Sequence, residues 1–309
     1  MLLVRDAVVP PALAGNLVAL VSTVLWSSAF PTTEYLLRGW DPLLLCAARL
    51  AGAALFILVL TALAGRIDEL RHAPWRDVLL LGALGVAAPV FLLVAGQDRA
   101  DAVTVAIVST TLPLISALMA WVLDARRPGG MVLVGIALAI AGGSLATTAA
   151  RGGPDGSHGG ALLVLASMVA WIWYSRAALR RLPGHGDLAL SALTFAAGAL
   201  VAALVVTVAL LLDLARPRLA LDGPNLAALL WMSMIAIGLS VPLWFTSTRL
   251  LGLTIAAIHT NLAPFYVMLI ALAFGGTVSL RQVTGAALVA AGALLAQLAA
   301  GRAPAAAGP

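Results

Sequence analysis

The chain has 309 residues, 62% of them hydrophobic and only 10% charged, with a mean hydropathy of +1.06 and a formal charge of +5. A soluble domain carries about 25% charged residues and about half apolar ones, so a water-soluble surface is excluded and the chain requires a lipid bilayer as its partner. The basic excess is 18 arginines that neither cluster on one helix face nor alternate with stacking aromatics, which excludes a nucleic-acid partner.

Apolar segments continue to the C-terminus, whereas a secretory leader precedes a polar mature chain. They run for about twenty residues without the alternating polarity of an outer-membrane barrel. The fold class is all-α integral membrane. Cys46 stands alone within an apolar segment, which excludes an intrachain disulfide.

A helix crossing the hydrocarbon takes about 20 residues. In chain order such runs occupy 13–34, 42–64, 75–96, 102–123, 130–149, 161–181, 188–212, 226–249, 253–275 and 282–300, so ten transmembrane helices are predicted. The segment RGGPDGSHGG at 151–160 is rich in helix-breaking residues and predicts an inter-repeat linker over 150–160. It separates five predicted helices in 13–149 from five in 161–300, and the Ala/Pro/Gly tail at 301–309 is predicted to be disordered.

The halves share a faint repeat. Gly15, Ser22 and Trp26 match Gly160, Ser167 and Trp171 at an offset of 145, and VAIVSTTLP (105–113) matches AAIHTNLAP (256–264) at an offset of 151. Five is an odd number, so the second copy enters the bilayer upside down, giving two inverted five-helix repeats, an arrangement typical of secondary transporters. With the N-terminus inside, 11 arginines fall in cytoplasmic segments and 6 in outer ones, with Arg49 inside the second helix. By the positive-inside rule both termini are predicted to be cytoplasmic.

The candidate site residues come from polar and aromatic groups at membrane depth. Unsatisfied polar groups in hydrocarbon cost several kcal/mol each, so His259 and Asn261 in the ninth predicted helix are expected to face protein or water. Pro264 removes an amide donor and predicts a kink, with the carbonyl of Thr260 freed. Ser109, Thr110 and Pro113 take the matching level of the fourth helix. His259 is the one histidine in a predicted membrane interior, a functional candidate by default.

Ser22, Trp26 and Phe30 share a face of the first helix, and Ser167, Trp171 and either Tyr174 or Ser175 repeat it in the sixth. With Trp244 these rings form the expected apolar wall of a substrate cavity, while His259, Asn261 and freed carbonyls bond the polar end. Trp40, Trp75 and Trp231 lie near segment ends and are expected to be interfacial anchors. Arg49 is expected to snorkel outward or pair with Glu34. Gly135, Ala139, Gly143, Gly285 and Gly292 form small-residue stripes in the fifth and tenth helices, compatible with a monomer or a homodimer.

No predicted helix carries a carboxylate near its centre, so transport uncoupled from protons is expected; His259, with an unperturbed pKa of about 6.5, is the alternative proton carrier. No P-loop, HExxH, nucleophile elbow or Cys/His metal spacing occurs, so no catalytic residue, cofactor or metal is expected.

Ten predicted helices, an internal duplication, WSSAFP in the first helix and STTLPL in the fourth together resemble the drug/metabolite transporter superfamily, specifically its EamA-type members, over about residues 13–300. The resemblance implies a cavity lined by helices 1, 3, 4, 6, 8 and 9, with 5 and 10 at the periphery. It implies small-molecule substrates, amino acids or other metabolites or amphipathic drugs, usually moved outward across the bacterial inner membrane. Many relatives carry a Gly-Glu-Arg-like turn after the fourth helix and an acidic turn after the ninth; here these positions read LDARRP (123–128) and FGGTVS (274–279). The expected function is a secondary exporter of amino acids, with a multidrug or nucleotide-sugar carrier as the alternative.

Overall fold

Capping chemistry sets where several helices begin. The carboxylates of Asp41, Asp101 and Asp222 accept hydrogen bonds from the backbone amides of Leu43 (2.9 Å), Thr104 (3.0 Å) and Asn225 (3.0 Å). Each satisfies an amide that has no intrahelical acceptor. Pro11, Pro42 and Pro224 occupy first turns, where a missing amide costs nothing.

The computed structural model describes residues 10–125, 130–147, 153–215 and 218–300. Its long helices are α1 Pro11–Leu36, α2 Pro42–Leu63, α3 Trp75–Gln97 and α4 Ala102–Asp124. They continue as α5 Gly130–Thr147, α6 Gly153–Arg181, α7 Asp187–Leu211, α8 Gly223–Leu251, α9 Leu253–Ala273 and α10 Leu280–Ala300. Among the described residues there are no strands, and eight helices, all but α5 and α10, are long and apolar enough to cross a membrane. The predicted tail at 301–309 lies outside the described residues.

The segment read as the inter-repeat linker is partly helical. Helix α6 begins at Gly153, inside it. Pro154 falls in the first turn, where proline fits a helix, so this Gly/Pro segment starts a helix instead of interrupting one.

Proline bends the pathway helices at matched levels. Pro31 cannot bond the carbonyl of Ser27, and α1 is interrupted at Ser28. Pro113 follows a break in α4 at Thr110–Thr111, and Pro264 follows a 3-10 turn at His259–Leu262 in α9, as the kink expectation required. Pro89 and Pro242 follow π-helical stretches, Leu81–Ala87 in α3 and Trp231–Leu239 in α8. Each proline removes one rung of the helical ladder, and the turn before it changes pitch.

Packing reflects the repeat. The most extensive contacts are α5 with α10, α2 with α7, α1 with α8 and α6 with α3, while α4 packs on α9. Exchanging the halves turns α1–α8 into α6–α3 and leaves the other pairs unchanged. Single hydrogen bonds obey the same exchange: Ser22 Oγ donates to the Ser240 carbonyl and Ser167 Oγ to the Pro89 carbonyl, both at 2.8 Å. Ser22→Ala and Ser167→Ala are therefore expected to destabilise equally, each by about 0.6 kcal/mol, the mean for interhelical bonds in membranes. Thermal unfolding of the two variants in detergent checks this; a clear inequality would break the equivalence.

Helix direction defines two ends. At the first end, Gly186 N donates to Glu69 Oε2 (2.7 Å), Arg176 pairs with Asp124 (2.7 Å) and Arg249 with Asp187 (2.6 Å). At the second, Arg218 Nη2 donates to the Leu37 carbonyl (3.1 Å) and Gln282 Nε2 to Asp101 Oδ1 (2.9 Å). Helix α1 runs from the first end to the second and α6 the reverse, since Gly160 packs on Gly96 at the second end and Gly15 on Leu251 at the first.

Two aromatic and charged expectations change here. Trp40 is no interfacial anchor: it is 4% exposed and its Nε1 donates to the Ala220 carbonyl at 3.1 Å, holding two second-end loops together. Arg49 neither snorkels nor pairs with Glu34. It is buried against Thr33 Oγ1 (3.3 Å), whereas Glu34 Oε2 accepts from the Ala102 amide at the start of α4 (2.8 Å). A carboxylate at a helix N-terminus is favoured by the dipole and the free amides, which outcompetes a pairing along the membrane normal.

Candidate solute pathway

Where the breaks in α4 and α9 face α1, α6 and α8, the bundle narrows to a cavity of about 20 Å³ lined by Ser22, Thr23, Trp26, Leu112, Trp171, Ser240, Val241, Trp244 and Thr260. That space holds about one water, so this level is a closed constriction. Three tryptophans form it. Trp171 and Trp244 lie 6.4 Å apart, and Trp244 Nε1 donates to Ser175 Oγ (3.0 Å), which satisfies its polar edge within the protein.

The predicted site residues divide into two groups. Trp26, Trp171 and Trp244 meet at the constriction. Phe30 is buried edge-on to Trp26 at 4.7 Å, with its carbonyl accepting from Gln97 Nε2 (3.1 Å), so it backs the wall instead of lining it. Of the two alternatives in α6, Ser175 continues the face of Trp171, whereas Tyr174 turns away. Its ring packs on Gly85, and its hydroxyl bonds Thr194 Oγ1 at 2.7 Å. The hydroxyls of Ser109 and Thr110 donate to the Val105 (2.8 Å) and Ile107 (2.7 Å) carbonyls of their own helix. This is the local bonding that competes with longer-range roles for such side chains. Pro113 and Pro264 are buried in the two breaks.

His259 and Asn261 line neither this cavity nor the larger one described next, and the residue between them, Thr260, does reach the constriction. Both amide atoms of Asn261 and Nδ1 of His259 are enclosed without a hydrogen-bond partner among the described residues. Buried polar atoms are nearly always paired, so this short stretch has unfilled bonding capacity one residue to either side of the constriction.

Above the constriction, toward the second end, a vestibule of about 940 Å³ opens between α1, α4, α8, α9 and α10. Its walls are aromatic at Tyr35, Trp231 and Phe274, hydroxylic at Ser28, Thr32, Thr277 and Ser279, and charged at Glu34, Arg38 and Asp101. Trp231, expected as an interfacial anchor, is a half-exposed wall residue whose Nε1 donates to Ser28 Oγ at 3.0 Å. Glu34 and Arg38, one helical turn apart, form no ion pair with each other; Glu34 Oε2 accepts from the Ala102 amide, and Asp101 is occupied by capping α4 and by Gln282. Sequence reading missed this chamber because its members lie at helix ends, where charge is ordinary. The i, i+4 spacing of Glu34 and Arg38 was the one available signal.

A multi-pass bundle with two matched halves, a chamber open at one end and an aromatic constriction beneath it has the form of a membrane transporter of small molecules. The model of the EamA-like transporter family matches twice, at residues 13–148 and 158–298. The chain belongs to that family, within the drug/metabolite transporter superfamily, and its two halves are two copies of the same unit. It is 34% identical over 241 residues to an uncharacterized protein of Pseudomonas aeruginosa (PA1977), covering 76% of this chain and 78% of that one. A solved structure described only as "Crystal structure of protein" superposes with a TM-score of 0.68 at 22% identity, covering 94% of this chain and 98% of the other. That likeness concerns the fold.

Proposed function

We propose that this protein exports small amphipathic or zwitterionic metabolites, amino acids foremost, across the bacterial inner membrane. In this reading ten helices in two inverted repeats alternate access to the tryptophan constriction, both termini are cytoplasmic, and the vestibule faces outward. One observation carries it: a chamber of about 940 Å³ ends in a constriction of about 20 Å³ where two proline-broken helices meet. Glu34, whose Oε2 accepts from the Ala102 amide, and Arg38 form no ion pair and suit an ammonium and a carboxylate on one solute, and the rings suit its side chain. Ligand pockets span about 300–1,000 Å³, so a chamber near the top of that range favours, as second reading, a larger amphipathic drug.

No carboxylate lines the constriction, which supports transport down the solute's own gradient. The test is flux in proteoliposomes against a panel of amino acids, with and without a pH gradient. Amino-acid flux independent of the pH gradient is expected, and His259→Ala is expected to slow it about tenfold, since His259 stands at the hinge of α9. Unchanged rate and pH response in that variant would remove His259 from the pathway. Flux of none of the amino acids would sink the substrate assignment.

A further inference from the structure

The two ends of the molecule differ in charge pairing although the repeat makes their positions correspond. Among the described residues every ion pair lies at the first end. Three of them tie α6 to the helices across from it: Arg176 and Arg180 to Asp124 of α4 (2.7 and 3.4 Å), and Arg181 to Asp77 of α3.

The matched hydrogen bonds fix what stands at the same places in the other half. Ser22 and Ser167 set an offset of 145 between α1 and α6, and their acceptors Pro89 and Ser240 set 151 between α3 and α8. Helix α4 ends at Asp124 directly before left-handed Ala125 (φ 55°), and α9 ends at Ala273 with Phe274 standing before left-handed Gly275 (φ 76°). Matching the two left-handed residues aligns Asp124 with Phe274, one residue short of the 151 offset of the proline segments. The counterparts of Arg176, Arg180 and Arg181 are then Pro31, Tyr35 and Leu36, and that of Asp77 is Ala228. Pro31, Tyr35, Ala228 and Phe274 all line the open vestibule. Positions that are bridged by charge at one end are uncharged at the other, and there the helices stand apart around the chamber.

We infer that Asp77, Asp124, Arg176, Arg180 and Arg181 form an electrostatic latch that holds the first end shut and so regulates which end of the pathway is open. The inference rests on the alternating-access reading above. Partly exposed ion pairs are individually weak, which suits a latch that must release in every cycle. Arg176 is the firmest member, with its side chain 14% exposed and its Nε enclosed.

The test uses paired reporter cysteines in a Cys46→Ala background: Thr32→Cys in the vestibule and its counterpart Ala177→Cys on α6. Maleimide labelling of purified protein is read without any solute. In the parent, the T32C site is expected to label and the A177C site to be protected. D77N/D124N is expected to raise A177C labelling about tenfold and lower that of T32C, the shift that losing about 1.4 kcal/mol from the pairs would produce. The charge exchange D124R/R176D is expected to restore protection. P31R/F274D, which copies the principal pair into the second half, is expected to protect T32C. An unchanged labelling ratio in well-folded D77N/D124N, or no protection from P31R/F274D, would overturn the latch alone. Equal labelling of both reporters in the parent would sink the alternating-access reading, and the latch with it.

Discussion

Substituting alanine at two adjacent glycines of α5 is expected to have opposite outcomes. A Cβ at Gly142 would stand 2.6 Å from the Gly285 carbonyl oxygen, 2.8 Å from Val289 Cγ2 and 3.0 Å from Leu288 Cβ. The nearest obstacle is backbone, which cannot swing aside, so the α5–α10 crossing must part. Overpacking of this kind costs about 1–3 kcal/mol, and it forfeits close contact in a setting where helix association depends on packing instead of water exclusion. At Gly143 nothing lies within 4 Å of the added carbon. There alanine brings only its better helix propensity, a gain approaching about 1 kcal/mol. Thermal unfolding of Gly142→Ala and Gly143→Ala in the same detergent decides the matter, and the order of the two midpoints is the result to read. The crossing is itself two-fold, since a Cβ on Gly292 meets the Gly135 carbonyl oxygen at 2.6 Å as one on Gly285 meets that of Gly142.

Opening the constriction is expected to have the largest effect on transport. The ring of Trp171 lies 6.4 Å from that of Trp244 and 5.3 Å from that of Tyr174, centroid to centroid, and it lines the cavity at the break level. Trp171→Ala removes the main apolar contact offered to a solute side chain. Burying such a group is worth about 2 kcal/mol, so KM for the preferred solute is expected to rise about thirtyfold, with discrimination between small and bulky solutes lost. Trp171→Phe is expected to keep most of both. Trp75→Ala serves as the reference, because Trp75 is 56% exposed on the outside of the bundle and its loss should leave flux unchanged. Competition between a small and a bulky amino acid in proteoliposomes checks the series. Unaltered discrimination in Trp171→Ala would take the ring out of the pathway.

Much of the candidate site was legible because polar groups are costly in hydrocarbon. Trp26 and Trp171 stand out by depth and repeat position and Trp244 as an aromatic of the eighth helix, and the three do converge. Proline chemistry likewise marked the breaks in α4 and α9. Side-chain direction was another matter. Ser109 and Thr110 bond their own turns, Tyr174 fills the notch at Gly85, and Thr260 reaches the constriction where His259 and Asn261 on either side do not. A helix turns about 100° per residue, so neighbours in sequence face different partners, and a proline break resets that angle by an amount periodicity does not reveal.

Composition settled that the chain is a membrane protein, because 10% charge cannot coat a soluble surface, and the unbroken apolar runs settled that it is helical. The order of matched serines, tryptophans and prolines settled that it is built twice over. Tertiary structure decided where each end stands: Asp77 and Asp124 meet arginines across the bundle at the first end, and the vestibule opens at the second. It also decided that Arg49 faces Thr33 and that Glu34 caps α4. Burial preferences are properties of single residues and of their spacing, whereas pairing is a property of distance between residues far apart in the chain, and only the folded packing of the two halves fixes that distance.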